Sequence, residues 1–179
     1  MLGLPEMDPA HAPLGRAASE PALVSPMLDI VGEGLTVTTH FDVEMAKLAD
    51  RHYSRRTVGA RQFLYSERKL VLRDAAGLVL FAWIWPDESM RMDGQRGYNN
   101  AIFRNESERR SSEIILEAEA AAFAKWGPNR LYTYVDPRKI RSVNPGYCFK
   151  VAGWHYEGKS KSGQHRLAKY DEHDGLVPM

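Results

Sequence analysis

The chain has 179 residues, of which 44% are hydrophobic and 26% charged, a composition that excludes wholesale disorder and fits one folded domain. The longest apolar run, Leu78–Trp85, is far below the roughly 20 residues that a membrane span needs. The single cysteine, Cys148, excludes an intramolecular disulfide, so we expect a cytoplasmic protein that makes no membrane contact.

The formal net charge of +1 hides an uneven distribution along the chain. Residues 1–50 carry eight acids and two bases, a net charge of −6, whereas residues 51–179 carry 22 bases and 15 acids, a net charge of +7. Such asymmetry hints at contact with nucleic acid, although a solvated basic surface explains it equally well.

The first 50 residues are predicted to contain a leader, a strand and a helix. Residues 1–30 are rich in proline and alanine without periodicity, which predicts a flexible leader before a single domain over 31–179. The alternating β-branched run Leu35–Thr39 predicts a strand. A helix is predicted over Asp42–His52, with Asp42 as its N-cap.

The middle of the chain predicts a hairpin, a strand and a long helix. Lys69–Arg73 and Leu78–Trp85 flank a glycine-containing turn, as in a β-hairpin, and Tyr98–Arg104 predicts a further strand. A helix over Glu113–Trp126 is predicted from its apolar periodicity, with Ser111 or Ser112 as its cap.

The last third predicts a strand at Leu131–Val135, a short helix at Asn144–Gly153, and two strands at Trp154–Glu157 and Gln164–Tyr170. The element order is therefore β–α–ββ–β–α–β–α–ββ. Strands that alternate with helices after an antiparallel meander predict an α/β fold with a mixed sheet.

The segment Leu131–Trp154 resembles the end of a GNAT acyltransferase domain: a buried strand, a short helix that begins with asparagine, and then glycine and an aromatic residue. In that superfamily the asparagine and the next aromatic residue lie beside the pantetheine arm of acyl-CoA, where the strand splays from its neighbour. The matching positions are Asn144, Tyr147 and Phe149. The resemblance implies an α/β (α+β) GNAT-like fold, with a mixed, mostly antiparallel central sheet flanked by helices.

One feature departs from the GNAT pattern. These enzymes usually hold the CoA pyrophosphate with a glycine-rich loop before the long helix, whereas residues 104–112 contain no glycine. A helix N-terminus binds phosphate by itself, and arginine and serine side chains could assist it here. The candidate cofactor-binding residues are Arg104, Ser111, Ser112, Asn144 and Phe149.

A narrower resemblance rests on three motifs: His52-Tyr53-Ser54, Asp136-Pro137-Arg138-Lys139, and the run from Asn144 to Trp154. Their combination resembles the Mom family of phage DNA-modification proteins, which are divergent GNAT-like proteins. Mom proteins place a carbamoylmethyl group on adenine N6 in double-stranded DNA and so protect phage DNA from restriction. For a phage-encoded protein, the compartment is the host cytoplasm.

The Mom resemblance covers about residues 35–170 and implies that His52, Tyr53, Asp136 and Tyr147 are catalytic. His52 could take the amine proton, and Tyr53 could hold a flipped base. Asp136 could accept the proton, orient His52, or bind with it the iron that has been linked to such proteins. Tyr147 could protonate a leaving thiolate.

Each candidate also has a structural interpretation. His52 could cap its helix while Tyr53 packs in the core, Asp136 before proline is a common turn residue, and Tyr147 could be a core aromatic. Cys148 is interpreted as a buried structural thiol. No motif with metal-ligand spacing is visible in the sequence.

Basic residues border the candidate site in the sequence, as a polyanion-binding surface requires. The candidate DNA-binding residues are Arg51, Arg55, Arg56, Arg138, Lys139, Arg141 and Lys150. Three functions stay open: a Mom-like DNA-modifying transferase that binds double-stranded DNA, a GNAT N-acyltransferase for a small amine, a tRNA-linked amine or a protein, and a non-catalytic binding module. The small-molecule group donor is left open, with acetyl-CoA or a related acyl donor as a candidate.

Overall fold

The computed structural model describes residues 34–87 and 94–170, so the predicted leader at 1–30 lies outside the described residues. The described part contains seven strands and three helices, and all ten were predicted in this order. The strands are β1 (Leu35–Thr38), β2 (Lys69–Asp74), β3 (Val79–Ile84), β4 (Tyr98–Asn105), β5 (Leu131–Val135), β6 (His155–Lys159) and β7 (His165–Lys169). The helices are α1 (Val43–Asp50), α2 (Ser111–Trp126) and α3 (Tyr147–Val151).

The seven strands form one sheet in the order β1-β2-β3-β4-β5-β7-β6. Every neighbouring pair is antiparallel except β4 and β5, which run parallel. A parallel pair requires a crossover, and α2 supplies it between these two strands. The predicted mixed, mostly antiparallel sheet is confirmed.

Helices cover both faces of the sheet and give a three-layer structure. On one face α2 packs Ile114 and Ile115 against the sheet, and the indole N–H of Trp83 donates to the Ala118 carbonyl at 2.8 Å. On the other face α1 buries Met45 and Leu48. Because β2 and β3 are covered on both sides, all of β3 and the centre of β2, Leu70–Leu72, are continuous apolar runs.

The helix boundaries show which caps the sequence predicted correctly. Asp42 is the N-cap of α1, since its carboxylate accepts the backbone N–H groups of Glu44 and Met45 at 3.0 and 3.2 Å. The predicted serine cap of α2 is wrong, because Arg110 is the N-cap and provides no side-chain bond. The Ser111 hydroxyl instead accepts the side-chain amide of Asn105.

Helix α3 is shorter than predicted and ends as predicted at a glycine. Gly153 has φ +89°, and its N–H donates to the Lys150 carbonyl at 3.0 Å. The N–H of Trp154 donates to the Phe149 carbonyl at 3.0 Å, and the two rings pack with centroids 4.9 Å apart. This pair of bonds is a Schellman motif, which fixes the direction in which the chain enters β6.

Candidate active-site cleft

The parallel strands β4 and β5 separate after three residues. They pair at Tyr98↔Leu131, Asn99↔Tyr132 and Asn100↔Thr133, and β4 then continues to Asn105 without β5. The register of β4 with β3 skips Ala101, which is therefore a bulged residue directly beyond the last pair. A bulge bends its strand, so the bulge in β4 accounts for the start of the separation.

Two buried polar side chains lie at the vertex of this separation. The Asn100 amide donates to the carbonyls of Ala82 and Ile102 at 3.2 and 3.1 Å. The Thr133 hydroxyl donates to the Asn100 carbonyl at 3.0 Å. Together these bonds satisfy backbone carbonyls beside the bulge, where the regular ladder is interrupted.

The separated strands enclose a cleft of about 230 Å³. Its walls come from β4, β5, α3, the start of α2 and the segment after α1. The lining residues are His52, Tyr53, Asn100, Ala101, Phe103, Asn105, Ser111, Thr133, Tyr134, Val135, Ile140, Gly146, Cys148 and Phe149. A cleft at the point where neighbouring strands part is a common ligand site in α/β folds.

His52 lines the cleft as a neutral ring. Its Nδ1 accepts the Ser54 backbone N–H at 3.2 Å and lies 2.7 Å from the Ser54 hydroxyl, so in the neutral ring the proton is on Nε2. Burial and the nearby charge of Arg104 lower the pKa of His52 to about 4. The ring therefore stays uncharged at neutral pH and presents a donor rather than a base.

Tyr53 joins the end of α1 to the end of β5. Its ring stacks on His52 with centroids 4.4 Å apart, and its hydroxyl donates to the Tyr134 carbonyl at 3.2 Å. The Asp136 backbone N–H donates to the same hydroxyl at 3.4 Å. Burial, with a smaller effect of the Asp136 charge, raises the pKa of Tyr53.

Asp136 does not line the cleft, although it follows β5 directly. Its carboxylate accepts the backbone N–H of Arg138 at 3.0 Å and two guanidinium N–H groups of the same residue at 2.9 Å each. These bonds and the positive charge lower the pKa of Asp136. In this structure the residue has the geometry of the turn residue that was the alternative interpretation.

Helix α3 turns Cys148 and Phe149 toward the cleft and leaves Tyr147 60% exposed outside its lining. Burial raises the pKa of the Cys148 thiol.

Helix α3 lies close to β7, since a Cβ on Gly146 would lie 2.2 Å from the Leu167 side chain. Asn144 also lies outside the lining and accepts the Lys150 ammonium at 2.5 Å.

The start of α2 forms one end of the cleft through Ser111, whereas Ser112 and Arg104 lie outside the lining. The Arg104 guanidinium donates to Glu106 and to the Arg51 carbonyl, each at 2.6 Å. Arg51 binds the same glutamate at 2.7 Å, and the two arginines lower the pKa of Glu106 to about 2. Glu106 is therefore an ionised carboxylate whose charge is balanced by these two arginines.

The predicted DNA-binding residues differ in their surroundings. Arg55 is structural, because its buried guanidinium binds Asp50 at 2.7 Å and two backbone carbonyls. Arg51, Arg138 and Lys150 have partners within the protein, as described above. Arg56, Lys139 and Arg141 are exposed.

The iron suggested by the Mom resemblance gains no support from the described residues. Within 34–87 and 94–170, no group of three or more His, Cys, Asp or Glu side chains comes together in a way that could hold a metal ion. None of the helices in these ranges is long and apolar enough to cross a membrane.

Comparison with solved structures shows which fold the chain shares. The chain is similar to the aminoglycoside acetyltransferase AAC(6')-Ib solved in complex with coenzyme A and kanamycin, with a TM-score of 0.55 and 14% identity over 76% of this chain and 94% of that chain. The same enzyme solved with coenzyme A alone gives the same values. This chain has a GNAT-like fold. No family model matches the sequence, and no curated protein matches it.

Sequence reasoning missed most of the cleft lining, including three residues with polar or thiol side chains: Asn100, Thr133 and Cys148. Asn100 and Thr133 are polar residues inside apolar strands, and this pattern was an available signal. Cys148 was set aside as structural although it lines the cleft. The five residues of α3 are too few for helical periodicity to fix which side chain faces inward.

Proposed function

We propose that this protein is an N-acyltransferase that moves an acyl group from an acyl-CoA donor to an amine. The observation that carries the proposal is the cleft between the separating parallel strands β4 and β5, with the start of α2 at one end. The likeness in fold to an acetyltransferase solved with coenzyme A supports it. An acyl thioester bound in the cleft would supply the activated carbonyl.

The residues of the cleft fit such a donor. Phe103, Val135 and Phe149 offer apolar surface for a pantetheine arm, and the unpaired inner edge of β4 offers backbone donors and acceptors. The first turn of the 16-residue α2 has no side-chain cap, so its N–H groups suit a pyrophosphate. The exposed Arg110 at this end places a positive charge beside these N–H groups, in a long ion pair with Glu113 at 3.8 Å.

The cleft also favours one kind of acceptor. Among the described residues that line it, there is no Asp, Glu, Lys or Arg. A second hollow of about 270 Å³ shares Ala101 with the cleft and includes the exposed Arg56. Neutral walls beside a positive rim suit an amine that enters uncharged and carries a negative group, and disfavour a polycation such as an aminoglycoside.

The transfer forms a C–N bond and breaks the C–S bond, while the nitrogen loses one proton and the thiolate gains one. An uncharged amine needs no carboxylate base to remove a proton before it attacks. His52, neutral with its proton on Nε2, would orient a bound acceptor by donating a hydrogen bond. Tyr147 lies outside the lining of the cleft. Its proposed role, protonation of the leaving thiolate, rests on the resemblance to the GNAT and Mom proteins alone.

A second candidate acceptor is adenine N6 in double-stranded DNA. One observation favours it: the segment from Pro137 to Lys150, which comprises a loop and most of α3, carries four bases and no acid, and it borders the cleft through Ile140. The exocyclic amine of adenine is also uncharged at neutral pH. The resemblance to Mom proteins supports the same acceptor. Mass spectrometry of nucleosides from cells that express the protein would reveal a new modified deoxyadenosine, and an unchanged profile would reject this candidate.

The main proposal is tested by thiol release from acetyl-CoA with a panel of acceptors. We expect turnover with aromatic amines that carry phosphate or carboxylate, and none with kanamycin. Arg56→Glu should reduce turnover of the anionic acceptors, whereas Lys161→Glu, on an exposed turn, should not. Turnover restricted to cationic acceptors would refute the proposed acceptor class, and no thiol release with any acceptor would refute acyl transfer itself.

A further inference from the structure

The separation of β4 and β5 is confined to the edges that face each other. On its outer edge β4 stays paired with β3 as far as Val79↔Asn105. On its outer edge β5 stays paired with β7 as far as Val135↔His165. The two strands are therefore intact, and the cleft is not the result of frayed ends. The backbone groups on their inner edges still need hydrogen-bond partners.

One side chain provides those partners at the end of β5. The Tyr53 hydroxyl donates to the Tyr134 carbonyl at 3.2 Å and accepts the Asp136 N–H at 3.4 Å. In a parallel ladder, one residue of the neighbouring strand makes both of these bonds. It donates to the carbonyl of the residue before the one it faces, and it accepts the N–H of the residue after it. For Val135 the hydroxyl thus reproduces the bonds that a residue of β4 would make.

We infer that Tyr53 is a positioning residue whose hydroxyl substitutes for one residue of β4 and holds the inner edge of β5 away from that strand. The inference rests on the proposed function only in assuming that the separation of β4 and β5 makes room for the acyl-CoA donor. The bulge at Ala101 and the Asn100–Thr133 pair fix where the separation starts. Tyr53 fixes its open end opposite Val135, two residues beyond the last ladder pair.

Two further observations agree with this role. Burial raises the pKa of Tyr53, so the hydroxyl keeps the proton that it donates. The ring is held by stacking on His52, so the hydroxyl is directed at β5 from a packed position. Removal of the oxygen alone would leave the Tyr134 carbonyl and the Asp136 N–H without their described partner at the cleft wall.

The test is amide hydrogen exchange of the free protein, followed by NMR, for wild type, Tyr53→Phe and Tyr65→Phe. Tyr65 is a matched control, because it is 71% exposed and its hydroxyl also donates to a backbone carbonyl, that of Gln62, at 3.1 Å. We expect the Asp136 amide to exchange at least about tenfold faster in Tyr53→Phe and at the wild-type rate in Tyr65→Phe. Coenzyme A affinity should fall in Tyr53→Phe, with a Tm close to that of the control.

Two results would overturn the inference. One is an Asp136 amide that exchanges at the same rate in Tyr53→Phe and wild type. The other is a uniform acceleration across the sheet that follows a lower Tm, which would indicate a merely structural role. Failure of wild type to bind coenzyme A would instead contradict the proposed function, and the exchange result would still decide the role of Tyr53.

Discussion

Asp136 and Arg138 close the turn that follows β5: the carboxylate accepts the Arg138 backbone N–H at 3.0 Å and its guanidinium at 2.9 Å through each oxygen. The turn begins where the cleft wall ends, since Val135 lines the cleft and Asp136 does not. Both oxygens of the carboxylate accept hydrogen bonds from Arg138. The pair therefore stabilises the turn and the start of the basic loop that follows it.

Asp136→Asn should lower the Tm at neutral pH by a few degrees, because it removes a charge that the folded state favours. The pKa of Asp136 is lowered in the folded protein, so its contribution is complete above the unfolded value of about 4. The contribution is lost as the pH falls through the folded pKa. Thermal unfolding at neutral pH and at about pH 3 checks this. Arg138→Gln should behave in the same way, and a difference in Tm from wild type that persists unchanged in acid would contradict the assignment.

His52 should make the folded state less stable in mild acid. Its pKa is about 4 when folded and about 6.5 when unfolded, so the unfolded state binds more protons as the pH falls through that window. The free energy of unfolding should therefore fall between those pH values by at most about 3 kcal/mol, less whatever solvent screens at a half-buried ring. Urea unfolding across this pH range should show that the free energy of unfolding depends less on pH in His52→Asn than in wild type. Substitution of an exposed histidine, His155→Asn, should leave the pH dependence of wild type unchanged. Identical pH dependence in His52→Asn and wild type would contradict the prediction.

Glu119 should be the most sensitive charged residue on α2. It is 4% exposed, and its carboxylate accepts the Trp154 indole N–H and the Lys169 ammonium at 2.6 Å each. Glu119→Ala should cost about 1–3 kcal/mol, because it leaves the buried indole N–H of Trp154 without its acceptor and removes the counter-charge of the partly exposed Lys169. Urea unfolding measures this loss, with the exposed Glu113→Ala as control. A loss no larger than that of the control would show that the pair contributes little.

Cys148 offers a direct report on the cleft, since it is the only cysteine in the chain. Burial raises the pKa of its thiol, so iodoacetamide should alkylate it more slowly than an exposed cysteine. Because the thiol lines the cleft, saturating coenzyme A should slow alkylation several-fold further, as measured by intact-mass spectrometry. Equal rates with and without coenzyme A would argue that the cleft is not where it binds.

The order of the elements could be read from the sequence because each has its own period and boundary residue. The Asp42 cap and the glycine at the end of α3 are local sequence signals. Both were predicted from the sequence and are present in the structure. The serine cap of α2 failed because the Ser111 hydroxyl is engaged by Asn105, six residues earlier in the chain. Competition of this kind depends on tertiary contacts, which local patterns do not contain.

The candidate site could be predicted only in part. His52, Tyr53, Ser111 and Phe149 do meet at the cleft. The pairing of Arg51 with Glu106, 55 residues away, could not be foreseen, and neither could the two hydrogen bonds of Tyr53 across the cleft. Such contacts depend on which strands become neighbours and where they separate.

The most direct test of the central claim is calorimetric titration of coenzyme A into wild type and two variants of α3. Cys148→Trp places a large ring in the cleft wall, whereas Val151→Trp, the matched control, changes a 55% exposed residue outside the lining. We predict that wild type and Val151→Trp bind coenzyme A equally and that Cys148→Trp, folded by circular dichroism, does not. Equal binding by all three proteins, or binding by none, would contradict the assignment of the β4–β5 cleft as the donor site.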